Sequence, residues 1–387
     1  MRPAARRLDR ALVVLPSVTL GGTEQQTAVL ARAMAEARLE VTLAMEPALR
    51  PDFAALPGAA SELRSVTGPF GWQAGATAAD NIAAQAAALA PLLQGLRPDL
   101  VILPLPWPGH GFGLLQALAA AGQRTLVIQH LAPQIADPVP EAAAPVLATL
   151  AAAPIRWAAV SAPVAARAAA FFGLPPAAVA VVPNGVPVPP ADPAAREAAR
   201  AGRRRRLGLP AAAPLVAFAG RLELQKGADL LPEIAARLHD ACGATLAALG
   251  EGALRWSLEA SPAARRGGPL RLLGHVPDVA DWLLAADVLL LPSRYEGCPL
   301  VFLEAAARRC PVVASAAALE CLGPAARDLA AIAASGGVAD LTDQTILRLK
   351  DTAAVRPAVE AAYRHAVAED EAAMLRRTFS LMRAALA

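Results

Sequence analysis

The chain has 387 residues, which is enough for two or three domains of ordinary size. Charged residues are 18% of the chain and hydrophobic residues 56%, so the composition excludes an intrinsically disordered protein. The 36 Lys and Arg residues against 33 Asp and Glu residues leave a net charge of +3. A net charge this small is not typical of a dedicated nucleic-acid-binding protein, which usually has a concentrated basic face, so we expect no nucleic-acid partner.

The N-terminal segment Met1–Arg10 is basic and leads into the apolar run 11–15, a pattern that can imitate a signal peptide. The run is short and no small-residue cleavage site follows it, so we interpret it as a first buried strand. Every long apolar stretch is interrupted by Pro, Gly or Arg before the ~20 residues that a membrane span needs. No transmembrane helix is predicted.

Short apolar runs of strand length alternate with longer Ala- and Leu-rich stretches of helical period. This alternation is typical of a parallel sheet covered by helices, and it occurs twice. The predicted strands are 11–15, 40–45, 100–103, 125–129, 157–160 and 179–182, then 214–219, 244–249, 270–273, 287–291 and 311–314. The sequence therefore predicts two doubly wound α/β domains, whose ligands bind beyond the carboxyl ends of the strands, across a cleft.

Residues 183–214, between the two halves, are rich in Pro and Ala, and we interpret them as an interdomain connection containing a short helix. The run Arg203–Arg206 lies inside it. Four consecutive arginines can bind a phosphate-rich partner or an anionic membrane surface, but we favour a solvated helix end. Residues from about 345 to the C-terminus are predicted to be helical.

The chain has four cysteines, with no Cys-x-x-Cys pair and no His at zinc-ligand spacing; they are Cys242, Cys298, Cys310 and Cys321. Neither a disulfide framework nor a structural metal site is indicated, and a reducing cytoplasm fits this usage.

A glycine pair follows the first predicted strand, in the sequence Gly21-Gly22-Thr23-Glu24, and a helix begins there. Paired glycines allow a ligand to approach the backbone closely, and helix N-terminal amides attract anions. A tight loop without a ligand explains the same residues, and the Gly-x-Gly-x-x-Gly dinucleotide pattern is absent.

Two cations follow the strand 214–219. They are Arg221 and Lys226, on either side of a short loop at a strand end. A guanidinium and an ammonium in such positions can hold a diphosphate. If this motif stood alone, we would favour two ordinary surface cations.

Two carboxylates follow the strand 287–291. Glu296 precedes a predicted helix and Glu304 lies within it, on the same face as Leu300. Pro299 suits the first helical turn, because it has no amide hydrogen to leave unsatisfied there. A glutamate inside an apolar helix needs a partner, and sugar hydroxyl groups are suitable donors to it.

Together these motifs resemble the retaining glycosyltransferases of family 4, which have the GT-B fold of two Rossmann-like doubly wound domains facing across a cleft. The resemblance is carried by Glu296 and Glu304, with seven residues between them, and by Gly220-Arg-Leu and Lys226-Gly upstream. Further matches are Gly21-Gly-Thr-Glu24, Gln129-His130, Val160-Ser161, Pro183-Asn-Gly-Val186, Gly250-Glu-Gly252, Leu273-Gly-His-Val276 and Pro311-Val-Val-Ala314.

The resemblance implies roles for residues of the second half. Arg221 and Lys226 would bind the donor diphosphate, Glu304 the donor ribose and Glu296 the transferred sugar. Val276 would lie near the nucleotide base. The residues that would contact the sugar together with Glu296 are Gly297, Cys298, Leu300 and Val301.

In the first half, the resemblance implies that His130 reaches the same sugar and that Gly21 and Gly22 lie against the phosphate and the acceptor. The candidate catalytic residues are Glu296, His130, Arg221 and Lys226. His110 is equally compatible with a functional and a structural role, His275 is predicted to pack in a loop, and His239 and His365 are predicted to be exposed.

The implied protein transfers a hexose-type sugar, with retention, from a nucleotide-diphosphate sugar to a hydroxyl of a glycan, a lipid or a small molecule. No cofactor is expected. The predicted domains are 1–187 on the acceptor side, 188–365 on the nucleotide-sugar side and a terminal helix, 366–387, that returns to the first domain. We expect a cytoplasmic protein and leave open a peripheral contact with the inner face of a membrane, the oligomeric state, the donor and the acceptor.

Two other functions are compatible with this fold: a nucleotide-sugar epimerase, which needs no acceptor, and a catalytically silent sugar-nucleotide-binding protein. The presence of Arg221, Lys226, Glu296 and Glu304 argues against the silent protein. The segment 308–340 departs from the family pattern, so we expect its donor-facing loop to be shaped differently. No Asp-x-Asp triplet is present, and we expect catalysis without a divalent metal.

Overall fold

The structure, a computed structural model, describes residues 7–56, 63–135 and 138–386. Residues 1–6, which open the basic N-terminal segment, and residue 387, which closes the predicted terminal helix, lie outside the described residues. The chain divides into two compact units. Unit 1 comprises Met1–Asn184 and Ala372–Ala387, and unit 2 comprises Gly185–Glu371.

The strands of unit 1 form one parallel sheet. They are β1 (Arg10–Val14), β2 (Glu40–Met45), β3 (Arg64–Thr67), β4 (Leu100–Leu105), β5 (Thr125–Gln129), β6 (Ile155–Ala159) and β7 (Val179–Val181). Their order in the sheet is β3-β2-β1-β4-β5-β6-β7, so β1 has β2 on one side and β4 on the other. The residues of β4 are all buried, as expected for a central parallel strand that is covered on both faces.

Helices connect these strands. In unit 1 they are α1 (Gly22–Glu36), α2 (Leu49–Ala54), α3 (Ala78–Leu96), α4 (Phe112–Ala120), α5 (Ala144–Leu150) and α6 (Ala162–Phe172). Thr77 caps α3 by accepting a hydrogen bond from Asp80 N at 3.1 Å, and Gly173 ends α6 in the left-handed conformation.

Unit 2 has a second parallel sheet. Its strands are β8 (Leu215–Ala219), β9 (Thr245–Leu249), β10 (Leu270–Gly274), β11 (Val288–Leu291), β12 (Val312–Ser315) and β13 (Ala331–Ala333), in the order β10-β9-β8-β11-β12-β13. Its helices are α7 (Pro193–Leu207), α8 (Leu231–Cys242), α9 (Arg255–Glu259), α10 (Val279–Ala285), α11 (Leu300–Ala307), α12 (Ala326–Leu329), α13 (Val338–Lys350) and α14 (Thr352–Ala368). The prediction of two doubly wound α/β sheets is confirmed.

Alternate residues of each central strand of unit 2 pack into cores on opposite faces of the sheet. In β8, Val216 and Phe218 belong to one buried cluster, whereas Leu215 and Ala217 lie on the other face. This alternation follows from the two-residue period of a strand, and both faces are apolar because helices cover both.

Two strands, β3 and β13, are not predicted from the sequence, and both lie at sheet edges. β3 pairs only with β2, and its residues are exposed or half-buried, so it lacks the continuous apolar run of a central strand. β13 pairs only with β12 and has three residues, which is too short for a periodic pattern.

The segment 183–214, interpreted as an interdomain connection, lies in unit 2 from Gly185 onward and contains α7. The interpretation of Arg203–Arg206 as a solvated helix end is wrong for its first two residues. Arg204 is only 1% exposed. Its guanidinium donates to Asp287 Oδ2 at 2.7 Å, to Ala213 O at 2.9 Å and to Ala285 O at 3.0 Å. A buried guanidinium persists because these acceptors replace water.

Arg203 also turns toward the body of unit 2. It pairs with Asp278 at 2.5 Å, and its guanidinium carbon lies 5.2 Å from the ring centre of Trp282. Arg205 and Arg206 are exposed. Successive helix residues point in directions about 100° apart, so a run of identical residues contains both buried and exposed members.

The last helix, α15 (Glu371–Leu386), belongs to unit 1 from Ala372 onward. Met374, Thr378 and Met382 are buried, and Arg156 Nε donates to Ala384 O at 2.5 Å. Among the described residues, no helix is long and apolar enough to cross a membrane.

Candidate functional site

Two loops of unit 2 begin where the strand order reverses. β8 has β11 on one side and β9 on the other. The loop that follows β8, residues 220–230, and the loop that follows β11, residues 292–299, therefore start at the same edge of the sheet; we call them the β8 loop and the β11 loop. In doubly wound sheets, ligands bind beyond the strand carboxyl ends at this reversal.

Arg221 lies in the β8 loop with its guanidinium fixed by two neighbours. Nη1 donates to Glu223 Oε1 at 2.9 Å, and Nη2 donates to Gln225 Oε1 at 2.8 Å. The side chain is 41% exposed. A guanidinium has five N–H groups, so these two bonds orient Arg221 and leave capacity to bind an anion.

An ion pair joins the two loops. Lys226 Nζ lies 2.6 Å from Glu296 Oε1, and Ser293 Oγ donates to the same oxygen at 2.8 Å. The Glu296 side chain is only 8% exposed. The structure thus brings two of the predicted catalytic residues into direct contact.

A second set of contacts between the loops had no signal in the sequence. Arg294 of the β11 loop donates to both carboxylate oxygens of Asp229, at 2.7 and 2.8 Å, and these bonds lower the pKa of Asp229. Gln225 O accepts from Arg294 N at 2.8 Å, and Gln225 Nε2 donates to Tyr295 O at 3.2 Å. The partners are about seventy positions apart, so no local pattern could have paired them.

Gly227 allows the close approach of the two loops. Its φ is +68°, a conformation that favours glycine, and a Cβ at this position would lie 2.2 Å from Pro292 O. Any larger residue would force the β8 loop away from the β11 loop, and Lys226 is its immediate neighbour.

The helix α11 starts one residue later than predicted. Pro299 precedes the helix, with ψ of 116°, and its carbonyl accepts from Phe302 N at 3.1 Å. The prediction that Pro299 occupies the first helical turn is therefore wrong. Leu300 and Val301 form that turn, where amides have no acceptor within the helix.

Glu304 lies on α11 with its side chain half-buried. Burial raises the pKa of its carboxyl group, and the nearby Arg308 guanidinium opposes that shift. Among the described residues, the hydrogen bond from Arg308 reaches the Glu304 carbonyl, at 3.1 Å, and no hydrogen bond reaches the carboxylate. This carboxylate is consequently poised to accept hydrogen bonds from a ligand.

The segment that departs from the family pattern contacts the β11 loop. Gly297 is buried, and the thiol of the half-buried Cys298 is hydrogen-bonded to the thiol of Cys321, whose pKa is raised by this bond and by burial. Ser315 Oγ donates to Ser293 O at 2.5 Å.

Val276, predicted to lie near the base, is 6% exposed. Its side chain packs in a cluster with Leu215, Leu249 and Trp282. A base at this position would therefore contact the peptide group of Val276 rather than its side chain.

His130 of unit 1 directly follows β5. Its amide donates to Leu105 O at 2.9 Å, and it lines a cavity together with Gln26 and Thr27 of α1 and Met374 of α15. Burial lowers the pKa of His130 to about 4. The imidazole is consequently neutral at physiological pH.

Gly21 precedes α1 and Gly22 is its first residue. Glu24 in the first helical turn is 2% exposed and accepts a hydrogen bond from Ser17 Oγ. A Cβ at Gly21 would lie 3.3 Å from Glu24 Oε2. A carboxylate therefore lies beside the glycine pair, where the resemblance implies a phosphate and the acceptor.

Two histidine predictions need correction. His275 is exposed rather than packed, because Gly274 at its side ends β10 in a turn. His365 is half-buried rather than exposed; its ring centre lies 6.4 Å from that of Phe302, and burial lowers its pKa. His239 is exposed, as predicted.

The predicted residues thus fall into two groups. Arg221, Lys226 and Glu296 lie together in unit 2, whereas His130 and the glycine pair belong to unit 1. Within the described ranges, no group of three or more His, Cys, Asp or Glu side chains is placed to hold a metal ion.

Family models match both halves of the chain. Residues 20–188 match the model described as glycosyltransferase family 4, and residues 213–351 match that described as glycosyl transferases group 1. The chain belongs to glycosyltransferase family 4. The family predicted from the motifs is confirmed, and the motif-bearing loops of unit 2 lie inside the second match.

Curated relatives of this family 4 chain align over part of their length. The D-inositol 3-phosphate glycosyltransferase of Xylanimonas cellulosilytica is 39% identical over 147 residues, 35% of this chain and 34% of that protein. The glycogen synthase of Alkalilimnicola ehrlichii is 42% identical over 118 residues, 28% of this chain and 24% of that protein. The chain matches about a third or less of the length of these relatives.

Solved structures resemble the chain over nearly its full length. A glycosyltransferase from Rickettsia africae has a TM-score of 0.76 at 14% identity, covering 98% of this chain and 99% of that one. HepE of Anabaena, in complex with UDP and glucose, has a TM-score of 0.72 at 18% identity, covering 97% and 99%. At these identities the likeness supports the fold, and the predicted GT-B class is confirmed.

Proposed function

We propose that this family 4 chain transfers a hexose-type sugar from a nucleotide-diphosphate sugar to a hydroxyl acceptor, with retention of anomeric configuration. The observation that carries the proposal is the joining of the β8 and β11 loops by Lys226 and Glu296, with Arg221 fixed beside them. Cations and a carboxylate at the strand-order reversal suit a diphosphate followed by a sugar.

In this proposal, Arg221 and Lys226 bind the donor diphosphate. Their positive charges stabilise the negative charge that develops on the leaving diphosphate, which is usually the largest catalytic contribution of an enzyme. Lys226 contacts Glu296 at 2.6 Å, so a phosphate would share the ammonium group with that carboxylate. Lysine has three N–H donors, which permits the sharing.

The two carboxylates would address different parts of the donor. Glu304 lacks a hydrogen bond to its carboxylate among the described residues, so it would accept from the two ribose hydroxyls. Glu296, held by Lys226 and Ser293, would orient the transferred sugar. The binding of UDP and glucose by HepE, which has a similar fold, supports a nucleotide-sugar donor.

His130 would contact the sugar as a neutral imidazole. Its pKa of about 4 means that it donates or accepts a hydrogen bond at neutral pH without carrying charge. Acid catalysis by an imidazolium is thus not part of the proposal.

We also propose that transfer needs no divalent metal, because Arg221 and Lys226 supply the positive charge. The assay is the initial rate in excess EDTA. A loss of more than about tenfold, equivalent to 1.4 kcal/mol of barrier, that added metal restores would contradict this part of the proposal. The free state of all four cysteines supports a reducing, cytoplasmic location.

The proposed reaction is tested by incubating the chain with UDP-, GDP- and ADP-sugars and a set of hydroxyl acceptors. The expected result is acceptor-dependent release of one nucleoside diphosphate, with the donor's anomeric configuration retained in the product by NMR. Glu296→Gln should lower turnover strongly. Release of nucleotide with an altered sugar and no acceptor would favour an epimerase, and no turnover of any donor would favour a silent binding protein.

A further inference from the structure

Unit 1 contains a cavity that the proposed chemistry does not use. Its volume is about 210 Å³, which is below the roughly 300–1,000 Å³ of pockets for drug-sized ligands, so any group that it holds must be small. The side chains that dominate it are Trp72, Trp107, His110, Phe112 and Phe171, accompanied by four prolines and one glycine. Among these described lining residues, no side chain carries a permanent charge. We call this cavity the aromatic pocket.

The aromatic pocket lies at the ligand-binding edge of the sheet. Trp72 lies in the segment after β3, Trp107 and His110 follow β4, and Pro133 follows β5. The carboxyl ends of parallel strands share one edge of a sheet, and ligands of doubly wound sheets bind at that edge. This position distinguishes the pocket from a packing defect inside the core.

The rings of the aromatic pocket are arranged in a fixed geometry. The Trp72 and His110 rings are parallel within 4°, with centres 6.0 Å apart, and the Trp107 ring centre lies 6.2 Å from His110. Phe112 meets Trp72 edge-on at 6.5 Å and stacks with Phe171 at 5.9 Å. Such pairs hold aromatic side chains in place beyond the effect of burial alone.

A buried glutamine fixes the walls of the pocket to each other. Gln85 of α3 is fully buried, and its Nε2 donates to Phe70 O at 2.9 Å and to His110 O at 2.7 Å. Its Oε1 accepts from Gly113 N at 3.1 Å. The loops that carry Trp72 and His110 are therefore tied together before any ligand binds, as a preorganised site requires.

We propose that the aromatic pocket binds the planar aromatic part of the acceptor, so that the acceptor of this chain is an aromatic alcohol or carries an aromatic aglycone. The inference rests on the proposed function, which takes unit 1 to bind the acceptor. Flat indole and imidazole rings, flanked by prolines, match a planar apolar group. A bare sugar fits less well, because its hydroxyls would lose water and find few polar side chains in return.

The proposal is tested by calorimetric titration of the full chain, without donor, using three uncharged probes: naphthol, its saturated non-planar counterpart decalol, and methyl glucoside. Naphthol should bind at least about threefold more tightly than decalol, because only a planar ring can stack, and methyl glucoside should give no heat of binding. Trp107→Ala and Trp72→Ala should each weaken naphthol binding at least about tenfold.

Trp256→Ala is the matched control, since Trp256 is 80% exposed in unit 2 and its loss should leave naphthol binding unchanged. A second pair of variants covers the case in which a tryptophan variant misfolds. A Cβ at Gly109 would lie 3.5 Å from Phe112 and 4.0 Å from Phe171, so Gly109→Leu should fill the pocket without steric conflict and abolish binding. Gly95→Leu is the control for this variant: a Cβ at Gly95 on α3 has no atom within 4 Å, so naphthol binding should be unchanged.

Equal or tighter binding of decalol, binding of methyl glucoside at the strength of naphthol, or full naphthol affinity in Gly109→Leu would each overturn the proposal. Because no donor is present, these outcomes leave the proposed transfer reaction intact. Conversely, Lys226→Ala should bind naphthol with the affinity of the wild type. The proposal for the aromatic pocket is therefore tested independently of the donor assignment.

Discussion

At the scale of single residues, Glu296 and Glu304 differ in their partners. Glu296 is stabilised by Lys226 and Ser293, whereas no described residue donates a hydrogen bond to the Glu304 carboxylate. A half-buried carboxylate without such a donor lowers stability when it is ionised. The Glu304 carboxylate therefore lowers the stability of the fold and, at the same time, can accept hydrogen bonds from a ligand.

Glu304→Gln should raise the free energy of unfolding by about 1 kcal/mol at pH 7, because the amide carries no charge to desolvate. The pKa of Glu304 is raised in the folded state, so between the unfolded and folded pKa values the folded chain binds more protons than the unfolded chain. The free energy of unfolding of the wild type therefore falls as pH rises through these values. The gain in the variant should thus vanish below about pH 4. Urea unfolding at both pH values measures it, with the exposed Glu141→Gln as control.

The same Glu304→Gln variant should bind the nucleoside diphosphate more weakly, since an amide accepts from only one of two ribose hydroxyls. A variant that is neither more stable nor weaker in nucleotide binding would refute the description of Glu304.

His130 should make stability fall in acid. Its pKa is about 4 in the folded chain against 6.5 ordinarily, so between these values the unfolded chain binds the extra proton and stability drops as pH falls. The full effect is about 3 kcal/mol. His130→Gln should therefore lose less stability than the wild type between about pH 7 and 4.5 in urea unfolding. His239→Gln, at an exposed site, should behave as the wild type. Equal losses in the His130 variant and the wild type would show that the imidazole is hydrated.

The sequence indicated the residues of the proposed donor site but not their surroundings. Arg221, Lys226, Glu296 and Glu304 follow strand ends in a recognisable order. Partners such as Asp229 for Arg294 could not be predicted, because the two loops meet only through the pairing of β8 with β11.

At the scale of elements, the contact of the β8 and β11 loops depends on a residue without a side chain. Gly227→Ala should lower the free energy of unfolding by about 3 kcal/mol or more, because positive φ and a Cβ 2.2 Å from Pro292 O are both unfavourable. Gly243→Ala is the matched control: its φ is +67° and no atom lies within 4 Å of its Cβ position, so about 1 kcal/mol is expected. Urea unfolding measures the free energy of unfolding of both variants. Equal losses in Gly227→Ala and Gly243→Ala would mean that Pro292 moves away from the new Cβ at little energetic cost.

The helix α7 is held to unit 2 by its buried arginine. Arg204→Ala should cost about 3 kcal/mol, because it leaves the carboxylate of Asp287 with fewer partners in a partly buried position. Arg205→Ala, next to it on the exposed face, should cost less than about 0.5 kcal/mol. Thermal unfolding of the two variants measures both losses of stability. A small loss of stability in Arg204→Ala would contradict this expectation and show that Arg200 compensates through its own 2.7 Å bond to Asp287.

The elements that the sequence did not predict share a physical cause. Central strands are buried on both faces and read as apolar runs, whereas the edge strands β3 and β13 have one partner each and need no such run. The burial of Arg204 and the half-burial of Arg203 could not be predicted either, since identical residues on a helix differ only in the face that they occupy.

At the scale of the whole molecule, two complete doubly wound sheets account for the repeated pattern of strands and helices in the sequence. The sequence predicted domain boundaries at 187/188 and 365/366. In the structure, the chain passes from unit 1 to unit 2 between Asn184 and Gly185 and returns to unit 1 between Glu371 and Ala372. The order of strands within each sheet could not be predicted from composition or periodicity. It is this order, with β8 beside β11, that brings Arg221 and Lys226 to the loop of Glu296.

Calorimetric titration of the full chain with UDP, GDP and ADP is the most direct test of the donor site. One nucleotide should bind, and Arg221→Ala and Lys226→Ala should each weaken its binding by roughly 1.5–3 kcal/mol, the usual contribution of a hydrogen bond to a charged group. Arg237→Ala, on the exposed face of α8, should bind as the wild type does. Unchanged affinity in both the Arg221 and the Lys226 variants, or no binding of any nucleotide to the wild type, would contradict the assignment.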